Sequence, residues 1–227
     1  MAKRKLQRYA EISEFDNLLQ PSFQDVIDGF KFKGKWKIDW FKNQNPLTLE
    51  LGCGKGEYTV GLAEINKNRN YIGIDIKGAR LWRGCNIATQ KGLDNVAFIR
   101  THIELIDHIY DKDEVKEIWI TFPDPQLKKR TIKKRLTSPV FLNRYRNILQ
   151  KDNVIHIKTD NVEFFDYTLE MISYNQHDLL FSTKDLNGTG IEDNSPHFTT
   201  FYEEKWLEDG CDIHYLRFRL DRGRKNG

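Results

Sequence analysis

The sequence predicts an α/β fold: a mostly parallel sheet with an antiparallel C-terminal strand and helices on both faces. Three observations predict it. Apolar, strand-length runs alternate with helix-length segments through the middle of the chain, as βαβ units require. The run Leu47-Thr48-Leu49-Glu50-Leu51 ends in Gly52, Gly54 and Gly56 just before a helical segment, which is how a buried strand turns sharply into a helix. Near the C-terminus, Asp212 to Leu220 alternates polar with apolar residues, the pattern of a half-exposed antiparallel edge strand.

The elements follow in order. Strands are expected at 47–52, 70–76, 96–100, 116–122 and 153–159. Helices are expected at 57–66, 79–91, 138–149 and 161–174, the third opening on Ser138-Pro139, with proline in the first turn. Residues 177–186 and 212–220 read as later strands, separated by a polar loop at 187–196 and a helix-like segment near 199–208. Residues 1–46 have weaker periodicity and are set apart from a domain spanning 47–227. Their repeat from Phe30 to Lys37 alternates aromatics with lysines. It fits a mobile nucleic-acid arm and a covering segment equally well.

At 227 residues the chain is one domain, or one domain with a small appendage. With 39% hydrophobic and 30% charged residues it reads as a polar globular protein. No apolar run approaches the ~20 residues that cross a bilayer, and the N-terminus lacks the apolar core of a secretory signal. Cys53, Cys85 and Cys211 are an odd number without metal spacing, as free thiols of a cytoplasmic protein would be. The net charge of +3 is mild, but the basic residues cluster. They fall in the N-terminal stretch, in Gln126–Arg135 (QLKKRTIKKR) and from Arg217 to Lys225, while acids gather in Asp107–Glu117. Such asymmetry points to a polyanionic partner. The terminal clusters suit solvated tails; the central one suits phosphate contacts.

Chemistry-bearing residues collect at predicted strand ends. Gly52, Gly54 and Gly56 would leave bare backbone facing a ligand, in a spacing that differs from the dinucleotide fingerprint because the third glycine comes one residue early. Asp75 ends the next strand, 19 residues after Gly56, where a carboxylate can accept from a ribose diol. The strand from Glu117 to Phe122 runs into Pro123-Asp124-Pro125. Ligands of open α/β sheets lie beyond the strands' carboxyl ends, so Asp124 is expected in the same crevice, its backbone restricted by two prolines.

The glycine spacing with Glu50 and Asp75 resembles the S-adenosylmethionine site of Rossmann-like methyltransferases. Five blocks in register then resemble the bacterial tRNA (guanine-N7)-methyltransferase family: LELGCGKGEY, GIDIKGAR, ITFPDPQLKKR, Lys158-Thr159-Asp160 and Thr200-Phe201-Tyr202-Glu203. They cover residues 47 to about 206. The resemblance implies a Rossmann-like methyltransferase fold, S-adenosylmethionine as cofactor and guanosine 46 of the tRNA variable loop as target. It implies that Glu50 and Asp75 bind the cofactor, that Asp124 sits between methyl donor and guanine, and that Lys128, Asp160 and Thr200 to Glu203 hold the substrate. The chain departs from the family pattern in two places. His102 stands where an acid or amide is usual near the adenine, and fits local packing as well as a ligand role. Gln126 replaces the usual tryptophan.

Guanine N7 carries an in-plane lone pair and no proton, so methyl transfer to it needs no general base and rests on positioning and electrostatics. A carboxylate can accept from the guanine edge and stabilise the cation that forms; Asp124, Asp160 and Glu203 are unranked candidates. No metal is expected. Phe122 and Tyr202 could stack on an extruded base or belong to the core. A methyltransferase of another substrate and a non-catalytic RNA-binding subunit are the rival readings. Neither monomer nor homodimer is favoured.

Overall fold

The computed structural model describes residues 8, 10–186, 188 and 212–221. Its eight strands are β1 (Leu18–Leu19), β2 (Leu47–Leu51), β3 (Asn70–Asp75), β4 (Val96–Arg100), β5 (Val115–Thr121), β6 (Leu149–Thr159), β7 (Asp178–Thr183) and β8 (His214–Arg219). They form one sheet in the order β1-β4-β3-β2-β5-β6-β8-β7. The pairings from β1 through β6 are parallel; β8 runs antiparallel to both β6 and β7. Chain order reverses beside β2, which lies between β3 and β5. Such a switch point opens a crevice at the strands' carboxyl ends.

Helices Glu57–Ile65, Gly78–Gln90, Pro139–Ile148 and Val162–Tyr174 connect successive strands. All five residues of β2 are buried, as both faces of a helix-covered central strand should be. Leu49, Ile72, Ile118 and Ile155 belong to one core; Tyr58, Leu81, Phe98 and Trp119 belong to the core on the other face. Alternation along each strand sorts residues between them: Ile118 and Ile120 go one way, Trp119 the other.

Phe98 explains how closely the turn after β2 approaches the sheet. A Cβ on Gly56 would lie 2.6 Å from the Phe98 ring, one on Gly73 2.8 Å and one on Gly84 2.7 Å. Three glycines, from the turn, β3 and helix Gly78–Gln90, thus make the niche for one aromatic ring.

The aromatics of the 30–37 repeat pack inward. Phe30, Phe32 and Trp36 are buried, and Trp36 stacks on Tyr110 at 5.6 Å between centroids. The buried Glu114 carboxylate accepts from the backbone N–H groups of Gly34 (2.9 Å) and Trp36 (3.1 Å), which fixes the segment to the start of β5. Leu18 and Leu19 add a short strand to the β4 edge, which the weak periodicity of this region does not signal. One expectation is corrected. The 212–220 strand is antiparallel but is not the edge, because β7 pairs outside it and its residues are mostly buried. The expected helix near 199–208 lies outside the described residues.

Candidate functional site

At the switch point lies a cavity of about 240 Å³, lined by Glu50, Gly52, Gly54, Arg80, Thr121 and Phe122 among others. The glycine turn forms its floor. Gly52, Gly54 and Gly56 have φ of +76°, +56° and +70°, in the left-handed region that glycine enters without strain. Gly52 and Cys53 donate to the Ile74 carbonyl at 2.8 and 3.1 Å, tying the turn to β3. Asp75, at the tip of β3, clasps it from the side. Its Oδ2 accepts from Gly54 N–H at 3.0 Å and its Oδ1 from Lys77 N–H at 2.7 Å. Asp75 therefore orders the turn as well as standing beside it.

Glu50 is the buried acid of the site. Its Oε2 accepts from the Thr59 N–H at 2.7 Å and from the Thr59 hydroxyl; its Oε1 accepts from the Thr121 hydroxyl at 2.7 Å. One carboxyl thus links β2, the first turn of helix Glu57–Ile65 and the end of β5. Burial raises its pKa to about 7, against the lowering effect of those hydrogen bonds. Cys53 is buried and its thiol is pushed well up by burial, so it is no thiolate nucleophile at neutral pH.

The end of β5 shapes the opposite wall. Phe122 has φ +48°, a conformation that a bulky residue adopts only when its surroundings impose it. Its N–H donates to the Lys158 carbonyl at 2.8 Å, and the residue lines the cavity and is half-buried. Asp124 lies two residues on. It is exposed and its Oδ1 accepts from Gln126 N–H at 3.1 Å, closing a tight turn in which Gln126 has φ +49°. Asp124 is not among the residues lining the cavity; it stands at the rim loop that leaves the wall.

The other expected site residues are spread around this end of the sheet. Lys128 and Asp160 are exposed. His102 follows β4 and is 67% exposed, 4.0 Å from Glu104 and outside the cavity lining. Thr200, Phe201, Tyr202 and Glu203 lie outside the described residues. Sequence reasoning missed Arg80, which lines the cavity from the first turns of helix Gly78–Gln90; its place five residues after Asp75 was the available signal. It also missed Thr59 and Thr121, whose hydroxyls face Glu50. Lys158, quoted within a motif but given no role, is buried with its ammonium 5.2 Å from the Tyr58 ring centre. Of the six cations between Lys128 and Arg135, five are exposed and Arg135 is buried. Among the described residues no group of three or more His, Cys, Asp or Glu could hold a metal, and no helix is long and apolar enough to cross a membrane.

The family model described as "Putative methyltransferase" matches residues 44–216. A protein of Christiangramia forsetii named tRNA (guanine-N(7)-)-methyltransferase is 49% identical, over 96% of this chain and 99% of its own length. A Bacteroides thetaiotaomicron protein of the same name is 45% identical over 97% of this chain and 87% of its own. One from Listeria monocytogenes is 37% identical over 84% of this chain and 87% of its own. Among solved structures, the 16S rRNA methyltransferase KamB superposes with TM-score 0.59 at 12% identity, covering 83% of this chain and 93% of that one. At that identity the likeness speaks for the fold alone.

Proposed function

This chain belongs to the tRNA (guanine-N(7)-)-methyltransferase family, and from that premise we propose how its residues serve the reaction. The enzyme transfers a methyl group from S-adenosylmethionine to N7 of a guanosine in tRNA. The observation that carries the assignment of residues is the left-handed glycine turn clasped by Asp75 beside the buried Glu50. The turn fits the cofactor because it exposes bare backbone. A Cβ position at Gly52 has no atom within 4 Å, and one at Gly54 meets only the Gly52 carbonyl at 4.0 Å. When bound, S-adenosylmethionine supplies a methyl group activated on a sulfonium centre.

In this reading Glu50, Gly52, Gly54, Gly56 and Asp75 hold the cofactor, with His102 and Asp124 beside it. Asp124 is the catalytic residue. Its exposed carboxylate becomes desolvated once tRNA covers the rim, which strengthens its interaction with the cation forming on guanine. No proton has to leave N7, so no general base is required. Lys128, Asp160 and Thr200, Phe201, Tyr202 and Glu203 hold the substrate. The target is guanosine 46 of the variable loop. The catalytic domain in this reading spans 47–227, and of the preceding residues the described ones from Phe30 to Trp36 act as a covering segment packed on its core. In this reading the enzyme works as a monomer or homodimer in the cytoplasm, with tRNA as its partner.

The test is mass mapping of nucleosides after incubating the protein with unmodified tRNA and S-adenosylmethionine. 7-Methylguanosine at position 46 is expected. Methylation confined to another position would refute the target, and no methylation would refute the assignment of residues to transfer chemistry.

A further inference from the structure

We propose that Arg135 is a positioning residue that holds the Asp124 loop in its reactive shape, rather than a phosphate contact like the cations around it. This rests on the reading of Asp124 as catalytic. Arg135 closes a run of six cations, yet its side chain is only 4% exposed. Its guanidinium is occupied on three sides. Nε donates to the Pro125 carbonyl at 2.9 Å, Nη2 donates to Glu163 Oε1 at 2.8 Å, and the Tyr167 ring lies 4.4 Å from its centre. Such a buried, hydrogen-bonded and stacked arginine has little left to offer an RNA phosphate.

The bond to Pro125 is the informative one. Pro125 follows Asp124, and the loop around them is strained, with Phe122 at φ +48° and Gln126 at φ +49°. Strained backbone persists where neighbours over-determine it. The hydrogen bonds that hold this loop include Phe122 N–H to the Lys158 carbonyl, Gln126 N–H to Asp124 itself, and Arg135 to Pro125. Of these, only the last two act from the second proline onward, and the Gln126 bond is internal to the loop. Arg135 therefore anchors this part of the loop to helix Val162–Tyr174, through Glu163 and Tyr167. A lysine there keeps the charge but cannot bond Pro125 and Glu163 in the same fork or stack as a plane.

The test compares Arg135→Lys, Asp124→Asn and the double variant. It reads single-turnover rate at saturating tRNA, the salt dependence of tRNA affinity, and amide exchange of residues 122–127. Arg135→Lys should slow transfer on the order of 10-fold to 10²-fold, speed exchange in the loop and leave the salt slope unchanged. The double variant should be no slower than Asp124→Asn alone, because both changes act through one carboxylate. Three results overturn the proposal: a salt slope lowered by about one with an unchanged saturated rate, additive losses, or unaltered loop exchange. If Arg135→Lys fails to fold, Glu163→Gln (its side chain 59% exposed) and Tyr167→Leu remove the anchor's other partners. Faster loop exchange with a slower rate is expected, and no change in either variant refutes the idea. A normal rate in Asp124→Asn would sink the catalytic reading instead, while loop exchange in Arg135→Lys would still judge the anchor.

Discussion

Glu50, which lines the cavity, and Asp124, on the loop at its rim, are two acids in opposite environments. Asp124 is exposed on a rim loop, while Glu50 is buried with its oxygens facing Thr59 and Thr121. If Asp124 stabilises charge formed only during transfer, Asp124→Asn should lower the single-turnover rate on the order of 10²-fold at saturating tRNA. S-adenosylmethionine affinity, measured by calorimetry, should fall less. A rate within about twofold of wild type would move attention to Asp160 and Glu203. Glu50 makes a separate prediction. Its folded pKa is raised to about 7 from 4.5, mainly by burial, so the folded state holds the extra proton. Its stabilising contribution is full below about pH 4.5 and lost as pH rises through about 7. Melting curves of the cofactor-free protein from about pH 5 to 8 should show wild type losing stability relative to Glu50→Gln. A constant difference between the two would mean that Glu50 does not titrate there. Residue types at strand ends made Glu50, Asp75 and the glycines legible from sequence. Arg135 was not, because burial of one cation in a run depends on what it meets across the fold, here Pro125 and Tyr167.

At the scale of elements, the glycine turn divides into positions that serve a ligand and positions that serve packing. Gly54 faces open space, whereas a Cβ on Gly56 would collide with Phe98 at 2.6 Å. Gly54→Val should abolish cofactor binding in calorimetry and leave a folded protein, destabilised by roughly 1–2 kcal/mol for the left-handed backbone. Gly56→Ala should cost more in a denaturant titration, as it adds overpacking of about 1–3 kcal/mol to the same backbone strain. Equal losses would put the two glycines in one role. The β5–β6–β8 region responds to acid. His156 stacks on Trp119 at 3.9 Å, its Nδ1 is 2.8 Å from the Tyr215 hydroxyl, and burial lowers its pKa to about 3. The folded state thus resists a proton that the unfolded chain accepts near 6.5. This contribution is full above about pH 6.5 and is lost as pH falls towards about 3. His156→Phe should be less stable at neutral pH, but the gap to wild type should narrow at about pH 4; a gap independent of pH would refute the buried neutral histidine. The main strands and helices were legible because their hydrophobic periods are long and their ends carry glycine, proline or serine. The two-residue β1 is too short to have a period, and β8 hid its interior place because polar residues of its alternation pair within the sheet: Arg219 meets Asp178 at 3.3 Å.

For the whole molecule, the parallel sheet creates one end that concentrates function, and the charge pattern shows how a polyanion would meet it. The loop after β5 carries Asp124 into the 3₁₀ segment Lys129–Lys134 on the same side as the glycine turn. Lys129, Lys133 and Lys134 are exposed there, with no acidic partner among the described residues. Exposed cations beside a site that acts on RNA gain most of their binding free energy by releasing counterions from phosphate. Such contacts position the tRNA without reading its sequence. Replacing all three lysines with alanine should therefore weaken tRNA binding uniformly across tRNA sequences. It should also flatten the plot of log affinity against log salt, by about one unit for each phosphate that a lysine no longer neutralises. S-adenosylmethionine affinity should hardly change, because the cavity is lined by other residues. Transfer at saturating tRNA should stay near wild type, because Arg135, not these lysines, ties the Asp124 loop to the fold. The measurement is a binding titration at several salt concentrations, paired with single-turnover kinetics. An unaltered slope would return the three lysines to the solvated surface. A reduced rate at saturation with an unaltered slope would show that the segment shapes the loop as a whole.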